Sequence, residues 1–217
     1  MNIEQARFNM IEQQIRPWNV LDQDVLDLLH VVKREQFVPK AYENLAFADV
    51  EIPLPGGEAM FSPKVEARIT QEIAVKKHES VLEIGTGSGY MAALLAHGAR
   101  HVTTVEIQPE SVTMARENLA KTGVTNVSVE EGNGAQGWAA GTEYDVIVVS
   151  GGLPVVPDAL LKQLKVGGRM IAIVGEAPAM SCELITRVSE TAHDTVKLFE
   201  TVAKPLTGAI APSRFTF

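Results

Sequence analysis

The alternation of apolar and polar positions changes rhythm near residue 80. Before that point the pattern is helical and repeatedly interrupted. Residues 3–15 recur at helical spacing with a mixed face and stop at Arg16-Pro17, because the residue before a proline is pushed out of the helical region. Asp22 reads as an N-cap, followed by the stripe Val25, Leu26, Leu28 and Leu29, and Phe37-Val38-Pro39 closes that unit. Residues 44–62 contain Pro53, Pro55, Gly56 and Gly57 and predict irregular chain with short extended pieces. Ser62-Pro63 reads as a cap and a first-turn proline, opening a helix to about Val75.

After residue 80, short apolar runs alternate with helical stretches. Strands are predicted at 81–84, 101–107, 127–130, 144–150 and 169–174, with helices at 90–97, 109–121 and 157–164 between them. Strand and helix in alternation at this spacing mean βαβ units and a parallel sheet, since parallel neighbours need a crossover. Residues 183–188 and 195–201 alternate with no helix between them and predict an antiparallel pair on the sheet edge. The expected architecture is α/β: a doubly wound, mostly parallel sheet with an antiparallel C-terminal edge. Residues 1–79 form an N-terminal helical lead-in over the ligand end, and residues 80–217 the sheet domain, in one compact unit.

Composition narrows the function. The 217 residues are 46% hydrophobic and 21% charged, an ordinary globular mix. The formal net charge of −8 argues against a nucleic-acid partner, which needs a cationic face. The single cysteine, Cys182, forms no intramolecular disulfide and supports no cysteine-based metal site, so a reducing, cytoplasmic setting and no metal are expected. No stretch approaches the roughly 18 apolar residues of a membrane span, so no membrane partner is expected. Oligomeric state is not legible.

In an open parallel sheet, ligands bind outside the carboxyl ends of the strands. Those ends are Glu83 to Gly89, Glu106, Glu130 to Gly134, and Ser150 to Pro154. The strongest signal is Glu83-Ile84-Gly85-Thr86-Gly87-Ser88-Gly89-Tyr90, a glycine turn between a strand and a helix, where the backbone can approach a ligand closely. A dinucleotide fingerprint would place its third glycine where this chain has Tyr90. Here the pattern is an acid, then GxGxG, then Glu106 closing the next strand 21 residues after Gly85, where a carboxylate can accept from ribose hydroxyls.

This constellation resembles the S-adenosylmethionine-dependent methyltransferases, which have a Rossmann-like sheet. The resemblance implies cofactor contacts from Glu83, Gly85, Thr86, Gly87, Ser88, Gly89 and Tyr90, from Glu106 and Ile107, and from Gly132, Asn133 and Gly134, with Asn133 near the adenine. REQFVPKAY, SPKVEARI, VLEIGTGSGY, GNGAQGW and YDVIVVSGGLPVVPDALLKQLKVGGR narrow the likeness to the protein-L-isoaspartate O-methyltransferases, over about Ile11 to Gly175. That resemblance implies methylation of the free carboxylate of L-isoaspartyl residues in damaged proteins or peptides.

The acceptor loop departs from the family pattern. Ala59 and Phe61 stand where Thr and Ser are usual, Ser62 lies one position late, and Asn133 replaces a usual Asp. Ala59, Met60 and Phe61 are expected at the substrate and Ser62 is the candidate catalytic side chain. A carboxylate acceptor is ionised at neutral pH and a thioether leaving group needs no acid, so no base is required. None of the five histidines is predicted at a strand carboxyl end, which agrees with such an acceptor. Candidate partners for a substrate carboxylate are Arg16, Arg68 and Arg214, and Phe61, Phe215 and Phe217 are candidates to close a dry pocket. The altered loop keeps two alternatives open: another small-molecule or protein acceptor, and a non-catalytic S-adenosylmethionine binder.

Overall fold

A computed structural model describes residues 2–212; Arg214, Phe215 and Phe217 lie outside the described residues. The lead-in contains α1 (Ile3–Met10), α2 (Gln23–Val31), a two-residue hairpin of β1 (Ile52–Pro53) and β2 (Ala59–Met60), and α3 (Pro63–Ile73). The sheet domain follows as β3 (Ser80–Ile84), α4 (Tyr90–Gly98), β4 (His101–Glu106), α5 (Pro109–Lys121), β5 (Val127–Glu131), β6 (Tyr144–Leu153), α6 (Asp158–Lys162), β7 (Leu164–Glu176), β8 (Ala179–Arg187) and β9 (His193–Glu200).

Seven strands form one sheet in the order β5-β4-β3-β6-β7-β8-β9. The first five are parallel and the last two antiparallel, as the alternation predicts. Strand order reverses beside β3, so β3 and β6 are neighbours and a crevice opens at their carboxyl ends. Successive residues of a strand point to opposite faces. Val81, Val146, Val148, Ile171 and Ile173 join one buried cluster, while Leu82, Ile84, Ile147, Val149 and Met170 join another. Both faces are therefore covered, which is why these strands read as near-continuous apolar runs. Residues 90–96 of α4 are buried all round, between the sheet and the lead-in. Cys182 is a filler in the larger cluster.

Several boundaries differ from the sequence reading, each for a local reason. The first helix gives way to a π-helical turn at Ile11–Ile15 and a 3-10 turn at Arg16–Trp18; Arg16 keeps helical angles despite the following proline, and the run ends two residues beyond Pro17, where Asn19 turns left-handed, φ 62°. Helix α3 stops at Ile73 because Ala74 turns left-handed, φ 44°. Helix α6 is only five residues, because Leu164 already pairs with Tyr144 at the start of β7. Ser62 makes no side-chain capping bond; its carbonyl accepts from the Val65 and Glu66 amides instead.

One buried ion pair knits the lead-in together and a second pair ties it to the sheet. Arg34, 1% exposed, donates through Nε to Glu66 Oε2 at 3.0 Å, and through its other nitrogens to the Ala46 and Phe61 carbonyls at 2.8 Å each. Arg169 on β7 reaches the Ile73 carbonyl at 2.6 Å and Glu79 at 2.8 Å. Among the described residues no helix is long and apolar enough to cross a membrane, and no His, Cys, Asp or Glu cluster could hold a metal ion.

Candidate active site

The glycine turn after β3 sits where the strand order reverses. Gly85, Gly87 and Gly89 have φ of 93°, 52° and 86°, values that a side chain makes costly. A Cβ at Gly85 would stand 2.9 Å from the Ser150 carbonyl oxygen, so the turn can lie against the end of β6 only with glycine there. Gly89 caps α4 and abuts Ala115 of α5, so it serves packing between helices.

Two cavities open around this turn. The larger, about 560 Å³, is bounded by the turn, by Glu106 and Ile107, by Gly132-Asn133-Gly134, and by segments 54–59 and 206–207. The smaller, about 300 Å³, lies toward α3 and α4 and is lined by Met60, Phe61, Glu66, Thr86, Ser88 and Tyr90 among others. Leu54, Ala59, Gly85, Gly87 and Ser150 line both, so the two cavities meet there.

Glu106 is nearly buried and organises the turn. Its Oε2 accepts from the Gly87 amide and its Oε1 from the Gln108 amide, both at 2.9 Å. Each carboxylate oxygen retains capacity for a further donor, such as a ribose hydroxyl. Among the described residues the lining of the larger cavity includes Glu58 and Glu106 but no lysine or arginine. Such an acidic lining disfavours a pyrophosphate and suits a nucleoside without phosphate, which is what S-adenosylmethionine is.

Glu83 lies beneath the turn rather than in either lining. It is fully buried and accepts from Thr104 Oγ1 at 2.6 Å and from Ser150 Oγ at 2.9 Å, and Thr86 Oγ1 continues the chain to Thr104 at 2.6 Å. Burial pushes its carboxyl up to about 8; the Thr104 and Ser150 bonds oppose this, and Glu106 and Glu66 add to it. Burial likewise raises Glu66 to about 7 against the pull of Arg34. Burial also raises the Tyr90 phenol, which stays neutral.

Asn133 accepts the Ala135 amide at 3.0 Å and packs against Gly208. Trp138 covers Gly132, whose added Cβ would stand 2.5 Å from the indole, and its loop is held by bonds to Gln163. The C-terminal segment runs beside β6: Gly152 donates to the Lys204 carbonyl at 2.8 Å and Leu206 donates back at 2.9 Å. Lys204 Nζ then reaches Glu58 at 2.6 Å and the Gly57 carbonyl at 3.1 Å, joining this strap to the 54–59 loop across the larger cavity.

A family model for protein-L-isoaspartate(D-aspartate) O-methyltransferase matches residues 5–209. The chain belongs to the protein-L-isoaspartate O-methyltransferase family. The protein-L-isoaspartate O-methyltransferase of Methanoculleus marisnigri is 40% identical over 203 residues, 93% of this chain and 91% of that one. A namesake from Rhodopseudomonas palustris is 38% identical over 201 residues, 92% of each chain. A solved Plasmodium falciparum structure described as a protein-L-isoaspartate O-methyltransferase in complex with S-adenosyl-L-homocysteine covers 91% of this chain and 96% of its own. It superposes with a TM-score of 0.77 at 18% identity, a likeness of fold.

Of the residues expected in this isoaspartate methyltransferase site, Gly85, Thr86, Gly87, Ser88, Tyr90, Glu106, Ile107, Gly132, Asn133, Gly134, Ala59, Met60 and Phe61 line one cavity or both. Glu83, Gly89 and Ser62 line neither: the first is under the turn, the second packs against a helix, the third starts α3. Arg16 and Arg68 are also outside the linings, ion-paired to Glu12 and Glu72. Residues 50–62 and 205–217 are the expected walls of the cleft, and Leu54, Glu58, Ala59, Leu206 and Thr207 do line it; sequence reasoning missed Ser150 and Glu66. Ser150 stood at a named strand end; Glu66 carried no local signal.

Proposed function

We propose that this chain is an S-adenosylmethionine-dependent O-methyltransferase that esterifies the free carboxylate of L-isoaspartyl residues in proteins or peptides. The observation that carries the reading is the phosphate-averse cleft at the β3 turn, with Glu106 at its floor, in a chain of this family. Glu106 would accept from the ribose, Asn133 and Ile107 would flank the base, and the amino-acid tail would extend into the smaller cavity toward Ser88 and Glu66. Bound S-adenosylmethionine supplies a methyl on a sulfonium, whose bonding pair leaves on sulfur as a neutral thioether.

The protein's own work is alignment and exclusion of water. Leu54 and Leu206 bring apolar walls to the cleft, and the Lys204–Glu58 pair holds those walls together. Arg34 fixes the Phe61 carbonyl and so the end of the acceptor loop. No lining residue is required as a base, because the acceptor arrives ionised. The test is incubation with labelled S-adenosylmethionine and an isoaspartyl peptide, followed by mild base. A methyl ester releases its label as methanol; label that survives base, or no transfer by a chain that binds S-adenosylhomocysteine, contradicts the reading.

A further inference from the structure

The place where the two cavities meet is chemically sparse. Of the five residues that line both, Leu54, Ala59, Gly85 and Gly87 offer no side-chain donor, and Ser150 alone carries a hydroxyl. Under the reading above, on which this inference rests, one cavity takes the nucleoside and the other the amino-acid tail. The sulfur between them therefore lies at this meeting point, and the acceptor carboxylate must approach it there. The side chains of the acceptor loop offer nothing in compensation, since those of Ala59, Met60 and Phe61 carry no hydrogen-bond donor.

We propose that Ser150 positions the acceptor: its Oγ–H donates to the carboxylate oxygen that does not receive the methyl, holding the other oxygen toward the sulfonium. A donor on the attacking oxygen would lower its nucleophilicity, so the division between the two oxygens matters. Ser150 has one proton, and it points to Glu83 at 2.9 Å. Glu83 makes that proton releasable. Its carboxyl is fully buried and held toward its neutral form, and the charged groups that face it, Glu106 on β4 and Glu66 on α3, are both acids that favour this form. A protonated Glu83 can donate to Ser150 Oγ in turn, so the hydroxyl swings toward the substrate without leaving a buried acceptor pair in conflict.

The experiment compares the parent, Ser150→Ala and Ser150→Thr by three readouts: S-adenosylhomocysteine affinity by calorimetry, binding of an isoaspartyl hexapeptide to the S-adenosylhomocysteine-saturated protein by fluorescence anisotropy, and KM and kcat for the same peptide. Ser150→Ala should weaken peptide binding and raise KM by about tenfold, the scale of one hydrogen bond to a charged group. Its S-adenosylhomocysteine affinity should stay within about twofold. Ser150→Thr, which keeps the hydroxyl, should restore most of the loss. Peptide affinity unchanged in Ser150→Ala, an equal loss of S-adenosylhomocysteine affinity, or a threonine variant as weak as alanine overturns the assignment. A parent that binds S-adenosylhomocysteine yet leaves the peptide unmethylated overturns the underlying reading and this one with it, whereas an active parent beside an unaltered Ser150→Ala overturns this one alone.

Discussion

Replacing Glu83 with glutamine should change how stability depends on pH. Burial raises the folded-state value from the ordinary 4.5 to about 8, while the unfolded chain keeps the ordinary one. Between those values the folded protein holds a proton that the unfolded chain has released. Folding then becomes less favourable as pH rises, at about 1.4 kcal/mol per pH unit in the limit. From pH 5.5 to 7.5 this single group should remove roughly 2.5 kcal/mol from the parent, slightly less than the limiting slope because ionisation of the folded form begins near 7.5. Above pH 8 both states are ionised and the loss levels off. Glutamine carries no titration, has the same shape, and can still meet the Thr104 and Ser150 hydroxyls. Urea denaturation of both proteins, followed by the fluorescence of Trp18 and Trp138, at pH 5.5, 6.5 and 7.5 gives the comparison directly. Stability of Glu83→Gln minus that of the parent should rise steadily across the series. A difference that is flat or falls with pH would refute the neutral buried carboxyl.

Other consequences concern the turn and the lead-in. Glu106→Ala should weaken S-adenosylhomocysteine binding by about 1–3 kcal/mol, since it removes both a ribose acceptor and the partner of the Gly87 amide; calorimetric affinity equal to the parent's in a folded variant would exclude the ribose role. Arg34→Met strands Glu66 without its partner and should cost about 3–5 kcal/mol by denaturant titration. Adding Glu66→Gln should recover much of that, and a single-variant loss under about 1 kcal/mol would contradict the buried pair. Gly85→Ala should cost about 1–3 kcal/mol, because φ of 93° and the Ser150 carbonyl at 2.9 Å both oppose a Cβ; unchanged stability and S-adenosylhomocysteine affinity would show that the turn relaxes freely.

Much of this was legible because the relevant signals are local. Alternation of strand and helix after residue 80, the glycine spacing from Gly85 to Gly89, and the acid closing β4 are each contained in a dozen residues or fewer. They fix the sheet, its ligand end and most of the cleft floor. What was not legible depends on contacts distant along the chain. Gly151 and Gly152 read as part of the ligand end after the strand at 144–150, but they leave room for Leu206 and the backbone of Ala203, 51 to 55 residues on. Glu66 buries only because Arg34, 32 positions earlier, pairs with it, and nothing in the helix that opens at Pro63 signals this. Glu83, expected at the cofactor as the acid of the motif, lies under the turn instead, and its chemistry depends on hydroxyls from β4 and β6 that no spacing rule connects to it. Strand β7 runs longer than its apolar stretch because pairing with β8 continues to Glu176.

The most direct test of the account offers two peptides of identical composition, one with an L-isoaspartyl and one with an L-aspartyl linkage, together with labelled S-adenosylmethionine. Transfer to the isoaspartyl peptide alone is the predicted result, and it would show that a loop carrying Ala59 and Phe61 still serves this chemistry. Equal labelling of both peptides, or of neither while S-adenosylhomocysteine binding is measured in the same sample, would contradict the central claim.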